Sequence, residues 1–247
     1  MPMHTASLAA VRRLRGAVPG AGLSTAAVAA GAIVAQRHLD LEGLYVLLVV
    51  AGFVAGAAIA LSVAARHLRG SFGAANHVTL FRGALIALVA GLIVTESTPA
   101  VLWFAIAVAG SALLLDGIDG SLARRFKLAS PFGARFDMEM DAVSTLVLAT
   151  LVWHFDKAGI WVLASGLMRY AFVAAGREWM WLRAPLPPSR RRQTVCVVQI
   201  AALLVCLAPF VPPSQSARIA ALALVLLCAS FAVDTLWLHR NAALQRA

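Results

Sequence analysis

Ala100–Leu115 is an apolar run of membrane-helix character that ends on Asp116-Gly117-Ile118-Asp119-Gly120-Ser121-Leu122-Ala123-Arg124. Eight residues later come Gly133, Asp137 and Asp141. Four aspartates and Glu139 therefore fall between positions 116 and 141 of a chain with only 11 acidic residues. Apolar runs of spanning length flank the stretch on both sides. Carboxylates are expensive at the edge of a bilayer, so they must hold something.

Working outward, the composition gives the fold class. The chain has 247 residues, 61% of them hydrophobic and only 13% charged, against about 25% charged in a soluble domain. The reading is an all-α, polytopic membrane helix bundle. The formal charge of +10 does not indicate nucleic acid, because the arginines cluster between apolar segments. That pattern suits anionic headgroups and the positive-inside bias. Cys196, Cys206 and Cys228 lie inside apolar runs without CxxC spacing and read as packing residues. The scattered histidines give no zinc pattern.

Eight helices are expected. The first covers about Val18–Gln36, read as an uncleaved span although Arg12, Arg13 and Arg15 before it imitate a signal peptide. Leu44–Ala65 follows, then a Gly-containing turn at 70–75 and a helix from Asn76 to Thr95. Ala100–Leu115 continues through the aspartate motif to about Lys127. Ser130 as N-cap and Pro131 at the first helical position open the next helix, to about Phe155. Asp156-Lys157 makes a turn, and Gly159–Gly176 returns with Arg169 in its interior. Residues 177–193 read as a basic, proline-containing loop, and Thr194–Val211 and Ala217–Leu238 complete the set. Lys and Arg number three at the N-terminus, three over 66–82, four around the motif and five over 177–192, while the alternate loops hold one, none, one and one. This alternation puts both termini and the aspartates on the cytoplasmic side.

Asp116 and Asp119 are three apart, and Asp137 and Asp141 four apart, so each pair shares one helix face. Gly120 and Ala123 leave room on the first face for a ligand or another backbone. Two such faces make a four-carboxylate cup, and an all-oxygen cup suits Mg²⁺, Mn²⁺ or Ca²⁺. Two hard cations clamp a phosphoryl oxygen and activate an attacking hydroxyl. Arg82 and Arg124 are available for a diphosphate. The bland reading is solvated loop acids paired with Arg124, Arg125, Lys127 and Arg135. A second alternative is a non-enzymatic cation-binding or transport protein, although the acids sit at a helix end rather than at mid-membrane.

The stretch resembles the signature of the CDP-alcohol phosphatidyltransferases, D-x-x-D-G-x-x-A-R-x(8)-G-x-x-x-D-x-x-x-D, with all eight fixed positions present. Asn76, Thr79 and Arg82 also match the family's N-x-x-T-x-x-R. The resemblance covers about residues 75–240, the six-helix core. It divides the chain into a 1–70 membrane extension and a 71–247 catalytic domain. It implies an integral membrane enzyme that moves the phosphatidyl group of CDP-diacylglycerol to an alcohol and releases CMP, in phospholipid biosynthesis. It further implies two Mg²⁺ or Mn²⁺ ions on Asp116, Asp119, Asp137 and Asp141, with Asp141 as general base. Asn76, Thr79, Arg82, Gly120, Ala123, Arg124 and Gly133 would hold the CDP moiety, and a homodimer is expected. Arg169 within a span, and Arg191 among Arg190–Arg192, are the candidates for a phosphorylated acceptor. Arg190–Arg192 equally suit an anchoring role among lipid phosphates. Transfer of a phospho-alcohol from a CDP-alcohol to diacylglycerol uses the same signature and stays open.

Overall fold

The computed structural model describes residues 17–67, 72–125 and 130–244, with the backbone alone for the last turns of the helix that carries the motif. The described residues form eight α-helices and no strand: α1 (Ala17–Leu39), α2 (Gly43–His67), α3 (Gly73–Ala90), α4 (Pro99–Arg125), α5 (Pro131–His154), α6 (Leu163–Glu178), α7 (Arg190–Leu207) and α8 (Pro213–Leu244). Short 3₁₀ turns at Gly91–Val94, Ile160–Val162 and Met180–Arg183 complete the chain. Among the described residues, five segments are long and apolar enough to cross a membrane: Ala17–Leu39, Gly43–Arg66, Gly73–Val94, Pro99–Gly117 and Pro213–Ala242. α5 carries Arg135, Asp137, Glu139 and Asp141 in its first half, and α7 opens on three arginines. α6, at 16 residues, extends only about 24 Å at ~1.5 Å per residue.

The chain forms two compact units, residues 1–141 and 142–247. In the first, α3 is the central element, with Asn76, Thr79, Leu80, Arg82, Ala84, Ile86, Leu88 and Val89 buried. α1 lies against it through two glycines, because a side chain at Gly20 would collide with the His77 ring and one at Gly31 would touch Leu88. α2 adds Tyr45, fully buried, whose hydroxyl donates to Leu88 O at 3.0 Å. Ala17, Ala64, Phe72 and Phe132 pack together with Leu61 and Phe136 beside the start of α3.

α3 begins three residues before the expected Asn76. Gly73 has φ +63°, a left-handed start that L side chains seldom adopt, so the turn closes earlier and residues 73–75 join the helix. Ser130 caps α5 as expected, its Oγ accepting from Gly133 N at 2.9 Å, with Pro131 at the first helical position.

In the second unit, a Cβ at Gly166 would collide with the Leu146 backbone, so α5 and α6 cross at close range there. Lys157 is 7% exposed and donates its Nζ to Ala208 O at 3.1 Å and Val211 O at 2.8 Å. It closes off carbonyls that the end of α7 and the following turn leave without helical partners. Lys157→Met keeps the packed stem but strips Val211 O of its Nζ donor, while Ala208 O keeps only its bond from Val211 N at 3.0 Å. A loss of about 2–3 kcal/mol is expected, read as a lower melting temperature in detergent; unchanged melting would mean these bonds contribute nothing net.

The expected basic loop over 177–193 is corrected. α6 continues to Glu178, the 3₁₀ turn Met180–Arg183 follows, and α7 already starts at Arg190, so Arg190–Arg192 form its first turn. Arg183 donates its Nε to Gly176 O at 2.5 Å and its Nη2 to Arg177 O at 3.3 Å, capping α6. Three cations in a first helical turn oppose the helix dipole. Asp234 on α8 offsets them, 2.5 Å from Arg191 and 3.7 Å from Arg192. Arg191 also donates to Ser230 O at 2.7 Å and Ser230 Oγ at 2.5 Å.

Candidate active site

Three helices of the first unit supply the site. α3 contributes Asn76, Thr79 and Arg82, a stripe at three-residue spacing and all under 6% exposed. α4 contributes Asp116 and α5 contributes Asp137 and Asp141, which share a face one turn apart. Arg82, 3% exposed, stands among the three carboxylates. Its Nη1 lies 2.5 Å from Asp116 Oδ1 and 2.6 Å from Asp137 Oδ1, and its Nη2 lies 2.8 Å from Asp141 Oδ1. Its Nε has no hydrogen-bond partner among the described residues.

The charge count of this group is informative. One guanidinium faces three carboxylates. Carboxylates this close repel strongly unless cations sit with them. Each of the three offers an oxygen within 4.8 Å of the others, a grouping that suits a metal ion. Hard anionic oxygens at partly exposed positions fit Mg²⁺ or Mn²⁺. The donor set and its spacing therefore agree with a divalent site.

Asn76 and Gly133 meet beside this group. Asn76 Nδ2 donates to Phe72 O. A Cβ at Gly133 would stand 2.9 Å from Asn76 Oδ1 and 3.0 Å from Ser130 Oγ, so a side chain there would push on Asn76 and on the cap of α5. Thr79 Oγ1 donates within α3, to Ala75 O at 3.1 Å.

The sequence-derived residues thus fall into three groups. Asn76, Arg82, Asp116, Gly133, Asp137 and Asp141 come together around α3, with Thr79 on the same stripe. The side chains of Asp119, Gly120, Ala123 and Arg124 lie outside the described residues, although the helix backbone runs through them. Arg169 and Arg191 belong to α6 and α7 of the second unit.

A family model described as CDP-alcohol phosphatidyltransferase matches residues 72–234. The chain belongs to this family. No curated protein and no solved structure matched it. Membership places the chain in the general class of membrane enzymes that transfer substituted phosphate groups from CDP-alcohols. α1 and α2 precede the matched region, yet their residues pack directly on the helix that carries Arg82.

One charged residue of this family member carries a signal that the linear motifs do not show. Asp234 is the only acid after Glu178 and stands in an otherwise apolar run. An acid so placed calls for a cationic partner, and the structure supplies Arg191 and Arg192.

Proposed function

We propose that the protein transfers the phosphatidyl group of CDP-diacylglycerol to an alcohol, with release of CMP, at the cytoplasmic face of the cytoplasmic membrane. The observation that carries this reading is the convergence of Asp116, Asp137 and Asp141 within 4.8 Å at fixed positions of the family signature.

In this reading Asp116, Asp119, Asp137 and Asp141 would hold two divalent cations, which when bound would supply charge neutralisation for the diphosphate and its leaving group. Asp141 takes the proton of the acceptor hydroxyl. The acceptor oxygen forms a bond to the phosphorus that bears diacylglycerol, and the bond from that phosphorus to the bridging oxygen breaks. CMP leaves with the bridging oxygen and its electron pair. Asn76, Thr79, Arg82, Gly120, Ala123, Arg124 and Gly133 surround the CDP moiety. The buried Asn76–Gly133 contact supports this part, since it holds α5 against α3 with little space to spare. The flanking spans carry the lipid substrate, and the protein works as a homodimer.

For the acceptor, a phosphorylated alcohol is preferred. Three arginines open α7 and a single carboxylate, Asp234, faces two of them, so positive charge remains in surplus for a phosphate. Arg169 on α6 is the second candidate. Arg191→Gln is expected to raise KM for a phosphorylated acceptor at least tenfold while KM for the CDP-lipid holds. An acceptor KM unchanged from wild type would confine Arg191 to its bonds with Ser230 and Asp234.

An acceptor screen with purified protein tests the function. CDP-diacylglycerol with Mg²⁺ or Mn²⁺ is offered glycerol 3-phosphate, inositol phosphate, serine, glycerol or inositol, and labelled CMP and lipid product are counted. A parallel arm offers CDP-choline or CDP-ethanolamine with diacylglycerol. Product in that arm alone would reverse the direction of transfer. No CMP in any arm would favour the non-enzymatic cation-binding reading.

A further inference from the structure

Arg82 is buried and stands among three carboxylates. Its two terminal nitrogens reach three carboxylates on two other helices at 2.5, 2.6 and 2.8 Å. These are the same carboxylates, and among them the same close grouping of oxygens, that suit a divalent ion. A hard cation binds carboxylate oxygen at about 2.0–2.6 Å. An ion bridging Asp116 and Asp137 would then stand close to Nη1, which already bridges their Oδ1 atoms. Two positive charges at that separation, in a site 3% exposed at the arginine, repel strongly because little water screens them. The two modes of neutralising the carboxylates exclude each other.

We propose that Arg82 is a built-in competitor for the divalent cations of the carboxylate group, so that metal loading and release of its guanidinium are one coupled event. The inference rests on the metal-site reading above and adds a property that the signature does not specify. The unpartnered Nε bears on it directly. The guanidinium is held on its two outer nitrogens only, so it gives up part of its donor set among the carboxylates and regains it on leaving them. A ligand that accepts the released guanidinium, such as the diphosphate of a cytidine nucleotide, must by linkage tighten metal binding. The metal must tighten nucleotide binding by the same factor. Arg82 thereby couples the two halves of the site without itself meeting the reacting phosphorus.

The test is Mn²⁺ binding to the purified full chain in detergent, followed by electron paramagnetic resonance, with soluble CDP as the nucleotide probe. Arg82→Gln is expected to bind Mn²⁺ at least tenfold more tightly than the wild type. Arg82→Lys keeps the charge but loses the fork that bridges carboxylates, so it is expected to bind several-fold more tightly than wild type and less tightly than Arg82→Gln. CDP should raise Mn²⁺ affinity in the wild type by a factor that shrinks in Arg82→Gln. Equal or weaker Mn²⁺ binding in Arg82→Gln overturns the proposal. Should that variant fail to fold, Arg82→Lys decides, and an affinity no greater than wild type overturns the proposal equally. Failure of the underlying reading looks different: the wild type then shows no Mn²⁺ binding that Asp137→Asn removes.

Discussion

Asp141→Asn is expected to cut CMP release by at least ~10³-fold while the protein stays folded. The reasoning starts from the geometry. Asp141 Oδ1 accepts from Arg82 Nη2 at 2.8 Å, and an asparagine oxygen of the same shape keeps that acceptor. The helix and its contacts are therefore retained. What the substitution removes is a negative charge from the cup and the basic atom that takes the acceptor's proton. General-base catalysis alone contributes about 10²–10⁴-fold, and loss of one anionic metal ligand acts in the same direction. The check is CMP release per folded chain, with the melting temperature measured alongside. Wild-type release from a folded variant would take the base role away from Asp141.

Removal of divalent cations is expected to have the second large effect. With chelator present, CMP release should fall below detection, and Mg²⁺ or Mn²⁺ should restore it. Three carboxylates already crowd the single guanidinium of Arg82, so negative charge is concentrated there before any substrate arrives. A diphosphate brings more. Each like-charge pair at 4 Å costs about 4 kcal/mol at an effective dielectric of ~20, which closes the site to the nucleotide unless cations intervene. The reciprocal measurement is CDP binding by calorimetry, which should weaken at least tenfold under chelation. CDP binding and CMP release that ignore the chelator would remove the cations from the reaction.

Much of the architecture was legible from local sequence because the punctuation is strong. Ser130-Pro131 opens α5 where a cap and a preset φ coincide. Apolar runs bounded by Arg66, Glu96–Pro99 and Asp156-Lys157 delimit the helices, because charges and prolines end them. The start of α7 was not legible locally. Three consecutive arginines read as a loop, since a helix N-terminus repels cations. Asp234, more than 40 residues away, offsets that repulsion, and the pairing is a tertiary fact. Gly73 misled in the same direction, because glycine near a basic stretch reads as a turn, whereas here its positive φ starts the helix.

The candidate site divides along the same line. Helical periodicity put Asp116 with Asp119 and Asp137 with Asp141 on shared faces; the meeting of Asp116 with Asp137 and Asp141 is a tertiary fact, and the side chain of Asp119 lies outside the described residues. The place of Arg82 did not follow from spacing. The sequence reading gave it to the diphosphate because it lies in a second motif upstream. In the fold that motif faces the first one across α3, α4 and α5, and its arginine stands among the acids. Gly133 gained a packing reason, its lack of a side chain beside Asn76 Oδ1, that only the approach of two helices reveals.

The most direct measurement counts CMP and phospholipid together. Purified protein receives CDP-diacylglycerol, Mn²⁺ and the alcohol that the acceptor screen selects, and both products are followed in one reaction. The account predicts equal amounts of CMP and new phospholipid, both dependent on Mn²⁺ and both lost in Asp141→Asn. CMP without matching lipid, or either product unchanged when the metal is withdrawn, would contradict it.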